Sequence, residues 1–116
     1  RDWGRAPARS PGPRAASEPE TRALLSLIGR LAPRRLLTVH APLALVEDPR
    51  RGPLARRLAT DIGLPLRRNI GYATPGSLGT WAEERGLPEV TLELPPGGVR
   101  PAAVSALRTA LTDPRP

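Results

Sequence analysis

The chain has 116 residues, a net charge of +7 and no cysteine, methionine or phenylalanine. This length allows one domain with a modest core of Leu, Ile, Val and Ala. The missing thiols exclude disulfides, thiolate metal sites and a cysteine nucleophile. No run is long and apolar enough to span a membrane and no signal peptide is visible, so no membrane partner is expected.

All 18 basic residues are arginines. They occur as scattered pairs (Arg34-Arg35, Arg50-Arg51, Arg56-Arg57, Arg67-Arg68) and form no single stripe. The three aromatics, Trp3, Tyr72 and Trp81, do not interleave with them to stack bases, and no helix-turn-helix, zinc-finger or RNA-binding signature is present. The arginines therefore read as a solvated surface, and no nucleic-acid partner is expected. A basic nucleic-acid-binding domain is kept as a distant alternative, which steeply salt-dependent binding would support.

Residues 4–16 are rich in Pro, Gly, Ala and Arg without a hydrophobic period, and read as a loop. Ser17-Glu18-Pro19-Glu20 has the form of a capping box that opens a helix, with Pro19 in the first turn. Leu24, Leu25, Leu27, Ile28 and Leu31 give that helix one apolar face, and Pro33 ends it. Leu36 to Val39 reads as a short buried strand ending at His40. Pro53 to Ile62 is a second helix with Gly63 as its stop. Leu64 to Ile70 is only weakly extended. The Thr74-Pro75-Gly76 turn leads into a short helix from Ser77 to Glu84, stopped at Gly86. Val90 to Leu94 is a second clear strand, and Arg100 to Leu111 a closing helix with Val104, Leu107 and Leu111 on one face.

Strand and helix alternate, which argues for an α/β layer with parallel pairing. Two clear strands do not make a comfortable sheet, so the chain reads as part of a larger α/β domain. Two titratable groups stand out. Glu93 is a lone carboxylate in an apolar run, and His40 closes another such run. A buried carboxylate is costly unless it is paired, liganded or catalytic. By strand alternation Leu92 and Leu94 point away from the face that Glu93 occupies. Ser77 is no nucleophile elbow, because Pro75 stands where that pattern needs Gly.

Several segments, in order, resemble the zinc carboxypeptidase family and within it the murein peptide amidase branch. Arg1-Asp2-Trp3 resembles the tail of that family's Asn-Arg-Asn-Trp/Phe motif. Pro11-Gly12-Pro13 and Ala16 to Thr21 resemble its loop and "SEPET" helix start. Val39-His40-Ala41-Pro42-Leu43 resembles the strand end with its third zinc ligand, Tyr72 to Trp81 its "TPGSLG" segment, and Thr91 to Pro95 the strand with its catalytic glutamate. The resemblance implies the C-terminal portion (1–116) of a single catalytic domain, a three-layer α/β/α fold with a mixed sheet.

It further implies one catalytic Zn2+, with His40 as a metal ligand and Glu93 as the catalytic acid and base. Arg1 would anchor a substrate carboxylate, and Tyr72, Thr74, Gly76 and Ser77 would bind substrate. The substrate implied is a peptide with a free carboxylate, such as a cell-wall (murein) peptide cut next to diaminopimelate, in a cytoplasmic recycling role. The family's other two ligands come from a His-x-x-Glu motif, which this sequence lacks, and His40 is its only histidine. Since a catalytic zinc takes three protein ligands and water, the chain alone is expected to be inactive. The alternative is a catalytically dead relative that keeps the fold as a binding module.

Overall fold

The computed structural model describes residues 13–72, 74 and 76–113. In chain order the elements are α1 (Pro19–Leu31), β1 (Leu36–His40), β2 (Leu45–Glu47), α2 (Pro53–Ile62), β3 (Leu66–Arg67), α3 (Leu78–Glu84), β4 (Glu89–Glu93) and α4 (Pro101–Thr112). Helices α1, α2 and α4 each begin with a proline, whose missing N–H falls where no intrahelical bond is due. Gly63 closes α2 in the left-handed region (φ 73°), and its N–H returns to Ala59 O. The capping box expected at Ser17 and Glu20 does not form. Glu18 is the N-cap of α1, without a side-chain cap, and the Ser17 hydroxyl instead donates to the Glu18 carboxylate.

The four strands form one mixed sheet in the order β1-β4-β2-β3. The expected parallel pair is there: β4 runs parallel to β1, with Leu36 opposite Glu89 and His40 opposite Glu93. On its other side β4 pairs antiparallel with β2, and β2 pairs parallel with β3. Sequence reading left β2 and β3 out of the clear strands because they are three and two residues long. Each is too short to show a period of its own.

Register sorts the side chains, because residues directly opposite one another share a face. One face carries Leu37, Val46, Val90 and Leu92, and α2 and α4 cover it. Val46 and Leu92 are fully buried there, with Leu54, Ala55 and Leu58 from α2 and Ala103, Ala106 and Ala110 from α4. The other face is mostly polar: beside Leu36 and Leu45 it carries Thr38 and His40 of β1, Glu89, Thr91 and Glu93 of β4, and Glu47 of β2.

Two expected helix faces differ from what the fold buries. In α4 the buried stripe is Ala103, Ala106 and Ala110, while Val104 and Leu111 are exposed and Leu107 is partly buried. Alanine lets the α4 backbone come close to α2, so the contact falls on the small residues and not the most apolar ones. In α1 only Ile28 is buried, and Leu24, Leu27 and Leu31 are exposed.

Candidate active site

The polar face of the sheet opens into a cleft of about 1180 Å³. Its floor is the sheet itself, and the turn before α3 and the start of that helix form a wall. Glu93 ends β4 and is 92% withdrawn from solvent, at 8% exposure. One of its carboxylate oxygens faces the Leu43 N–H at 3.4 Å. The fold holds Glu93 on both sides: Leu94 N–H donates to His40 O at 2.8 Å, and Ala44 N–H donates to Leu94 O at 3.4 Å. Ala44 takes a left-handed backbone (φ 54°), an uncommon conformation for a residue with a Cβ, next to this strand end.

His40 ends β1 directly opposite Glu93. Two parallel strands thus bring the imidazole and the carboxylate to the same end and the same face of the sheet. The strand was expected to be buried, but His40 and Val39 are exposed, because among the described residues β1 has a neighbour on one side only.

Two further glutamates line the cleft that sequence reading did not single out. Glu89 begins β4, on the same face as Glu93. Its Oε1 accepts from the Thr38 hydroxyl and, at 3.0 Å, from the Thr91 hydroxyl. Burial pushes its carboxyl above the usual range; the Thr38 and Thr91 hydroxyls and the nearby His40 pull it back, and Asp48 adds to the rise. Glu47 is raised first by burial and then by the charges of Glu89 and Glu93. Asp48, also buried, is spoken for: its two oxygens accept from Arg50 N–H (2.8 Å) and Gly52 N–H (2.6 Å), which fixes the turn into α2.

The signal for Glu89 was the alternation Glu89-Thr91-Glu93, a polar stripe of period two. It was masked by starting the strand at Val90. Of the expected substrate-binding residues, Tyr72, Thr74 and Ser77 line the cleft and Gly76 does not. Tyr72 is 59% exposed. Ser77 caps α3 by accepting from Thr80 N–H at 3.1 Å, and Thr74 O accepts from Ser77 N–H and from the Thr80 hydroxyl. Arg1 lies outside the described residues.

The chain is 46% identical over 85 residues to murein peptide amidase A of Vibrio campbellii and, over the same length, to that of Escherichia coli K12. The chain is a relative of murein peptide amidase A. These alignments take in 73% of this chain but only 34% and 35% of the two relatives. The crystal structure of murein-tripeptide amidase from Escherichia coli O157 superposes with a TM-score of 0.80 at 38% identity, over 90% of this chain and 46% of that one. No family model matches. The chain thus spans about a third of the length of the curated amidases and under half of the solved one. The amidase resemblance read from the sequence is borne out, and so is its fold.

As for zinc, the donors here do not complete a site. Among the described residues no three His, Cys, Asp or Glu side chains are grouped so as to hold a metal ion. His40 offers one ligand from a rigid strand end, where a catalytic zinc takes three. Also among the described residues, no helix is long and apolar enough to cross a membrane.

Proposed function

We propose that this chain is the C-terminal portion of a single catalytic domain, in a zinc-dependent carboxypeptidase-like amidase that cuts murein peptides in the cytoplasm. The bond cut is a peptide bond near a free carboxylate, such as one next to diaminopimelate. The observation that carries this reading is the in-register placement of His40 and Glu93 at the same end of adjacent parallel strands, facing an open cleft. The 46% identity to the amidases supports it.

In this reading Glu93 takes the proton of the attacking water and passes it to the departing amine. Its seclusion from bulk solvent suits that task, since a site shielded from bulk water limits proton leakage and side reactions. His40 serves as one metal ligand, and the remaining ligands come from outside this chain. When bound, zinc supplies Lewis-acid polarisation of the carbonyl and of the water. Thr74 and Ser77 shape the wall of the cleft and Tyr72 its exposed lip, while Arg1 is assigned to the substrate carboxylate. The 116-residue chain by itself is inactive.

The test uses the full-length protein. His40→Ala is expected to lower bound zinc. Glu93→Gln is expected to keep the metal and lose about 10²–10⁴-fold in turnover of a murein tripeptide. The 116-residue chain alone is expected to show no zinc-dependent hydrolysis. If neither substitution affects metal content or turnover, His40 and Glu93 do not carry the chemistry, and if the full-length protein neither binds zinc nor turns over the tripeptide, the chain is a fold relative acting as a binding module.

A further inference from the structure

We propose that the arginines gathered at the β2–α2 turn and the β3 edge dock the protein peripherally on an anionic phospholipid surface. This goes beyond the hydrolase reading and does not rest on it.

In the sequence Arg50-Arg51 and Arg67-Arg68 are two separate pairs. The parallel pairing of β2 with β3 sets them side by side, with Glu47 opposite Arg67. Asp48 N–H donates to Arg67 O at 3.0 Å, and Arg51 N–H donates to Asp48 O at 3.1 Å. The Arg68 guanidinium crosses to Pro49 O at 2.9 Å. Arg56, in the first turn of α2, reaches Arg51 O at 2.8 Å. The exposed side chains of Arg50, Arg51, Arg56, Arg67 and Arg68 thus share one corner of the molecule.

No carboxylate among the described residues is paired with them. The ion pairs there are Arg57–Asp113 and Arg85–Glu84. Asp48, inside the turn, is 6% exposed, and its oxygens accept from Arg50 N–H and Gly52 N–H. Like charges held together in this way disfavour the folded state until a counter-charge meets them. A guanidinium is more weakly hydrated than an ammonium and grips phosphate oxygens with parallel N–H groups.

Two features favour a bilayer over a nucleic acid. The arginines come from a turn, a helix start and a strand edge, so no one helix or strand carries them into a groove. Nor is there a track of aromatics for bases to stack on. Among the described residues Trp81 already has the Arg85 guanidinium over its ring at 4.4 Å, which leaves Tyr72. Past Arg68 the chain turns at Asn69, whose side chain accepts from Gly71 N–H at 3.0 Å, and Tyr72 beyond the turn is 59% exposed. One amphipathic ring beside clustered arginines suits the headgroup layer, where the ring sits at the interface and the guanidinium groups meet lipid phosphates. Such a contact needs no spanning helix. Arg50, Arg68 and Tyr72 also line the cleft, so docking turns its mouth towards the bilayer.

The test is co-sedimentation of the full-length protein with vesicles of phosphatidylcholine, alone or mixed equally with phosphatidylglycerol. Binding to the mixed vesicles is expected, weakening as salt rises, and none to the neutral ones. Arg51, Arg56 and Arg67 do not line the cleft. One arginine at such a surface corresponds to about fivefold in affinity. Arg51→Gln, Arg56→Gln and Arg67→Gln together are therefore expected to weaken vesicle binding about 100-fold, with hydrolysis of free tripeptide unchanged. Lysine at the same three positions keeps the charge and is expected to stay within about threefold of the native protein. Arg30→Gln, Arg100→Gln and Arg108→Gln together, on α1 and α4, are expected to cost under about fivefold, since distant exposed charges are screened. If the triple glutamine variant loses its circular dichroism, Arg67→Gln alone carries the test, at about fivefold. Equal losses from the two glutamine sets mean that overall charge acts, and overturn the patch. Equal binding to both vesicle types, or to neither, overturns the lipid assignment. So does tighter binding to a single-stranded oligonucleotide than to the mixed vesicles. A protein that binds the mixed vesicles as expected but hydrolyses no tripeptide removes the hydrolase reading alone.

Discussion

Glu47 pays for its place beside two other carboxylates. Burial and the charges of Glu89 and Glu93 raise its carboxyl above 4.5, so the fold favours its protonated form. The stability this gives is complete below about pH 4.5 and is lost as pH rises through the folded-state value. Glu47→Gln removes a charge the fold disfavours. Its thermal midpoint is expected to exceed that of the native protein at pH 7, with the gap closing towards pH 4, as followed by circular dichroism. At this scale the sequence was half legible. Glu93 and His40 stood out because each was a lone titratable group in or beside an apolar run. Glu47 did not, because its neighbours come from an antiparallel pairing with β4 that no local pattern announces.

At the scale of elements, punctuation was more readable than packing. Both ends of α2 fall where Pro53 and Gly63 put them, and Ser77 caps α3. The buried face of α4 was offset from the expected one, because hydropathy ranks Val104 and Leu111 above alanine while the close approach to α2 needs alanine. Ala106 is 5% exposed and Val104 47%. Ala106→Leu is therefore expected to cost about 1–3 kcal/mol by overpacking, whereas Val104→Ala stays within about 0.5 kcal/mol, as measured by urea denaturation. Equal losses at both positions would mean that the apolar stripe is the packed one after all.

For the molecule as a whole, β1 is an edge strand of the described sheet, and its Val39 is exposed. An uncovered strand edge offers unpaired N–H and C=O groups to any other chain. The 116-residue chain is expected to associate as its concentration rises, in sedimentation velocity, and Val39→Lys to shift that association to higher concentration. If association is absent, or indifferent to the lysine, the edge is already guarded.

The pairing of β1 with β4 has a consequence in time. His40 and Glu93 become neighbours only when a loop of about fifty residues closes, and that closure must be made before the ladder repays it. Partial opening that separates the two strands also dismantles the pair. Hydrogen exchange at the amide of Leu94, which is bonded to His40 O, is therefore expected to proceed at the rate of global unfolding, slower than the amides in the Thr74–Ser77 turn. The chemistry assigned to this chain is then available only to molecules that are folded throughout, and a partly open molecule has no partial site.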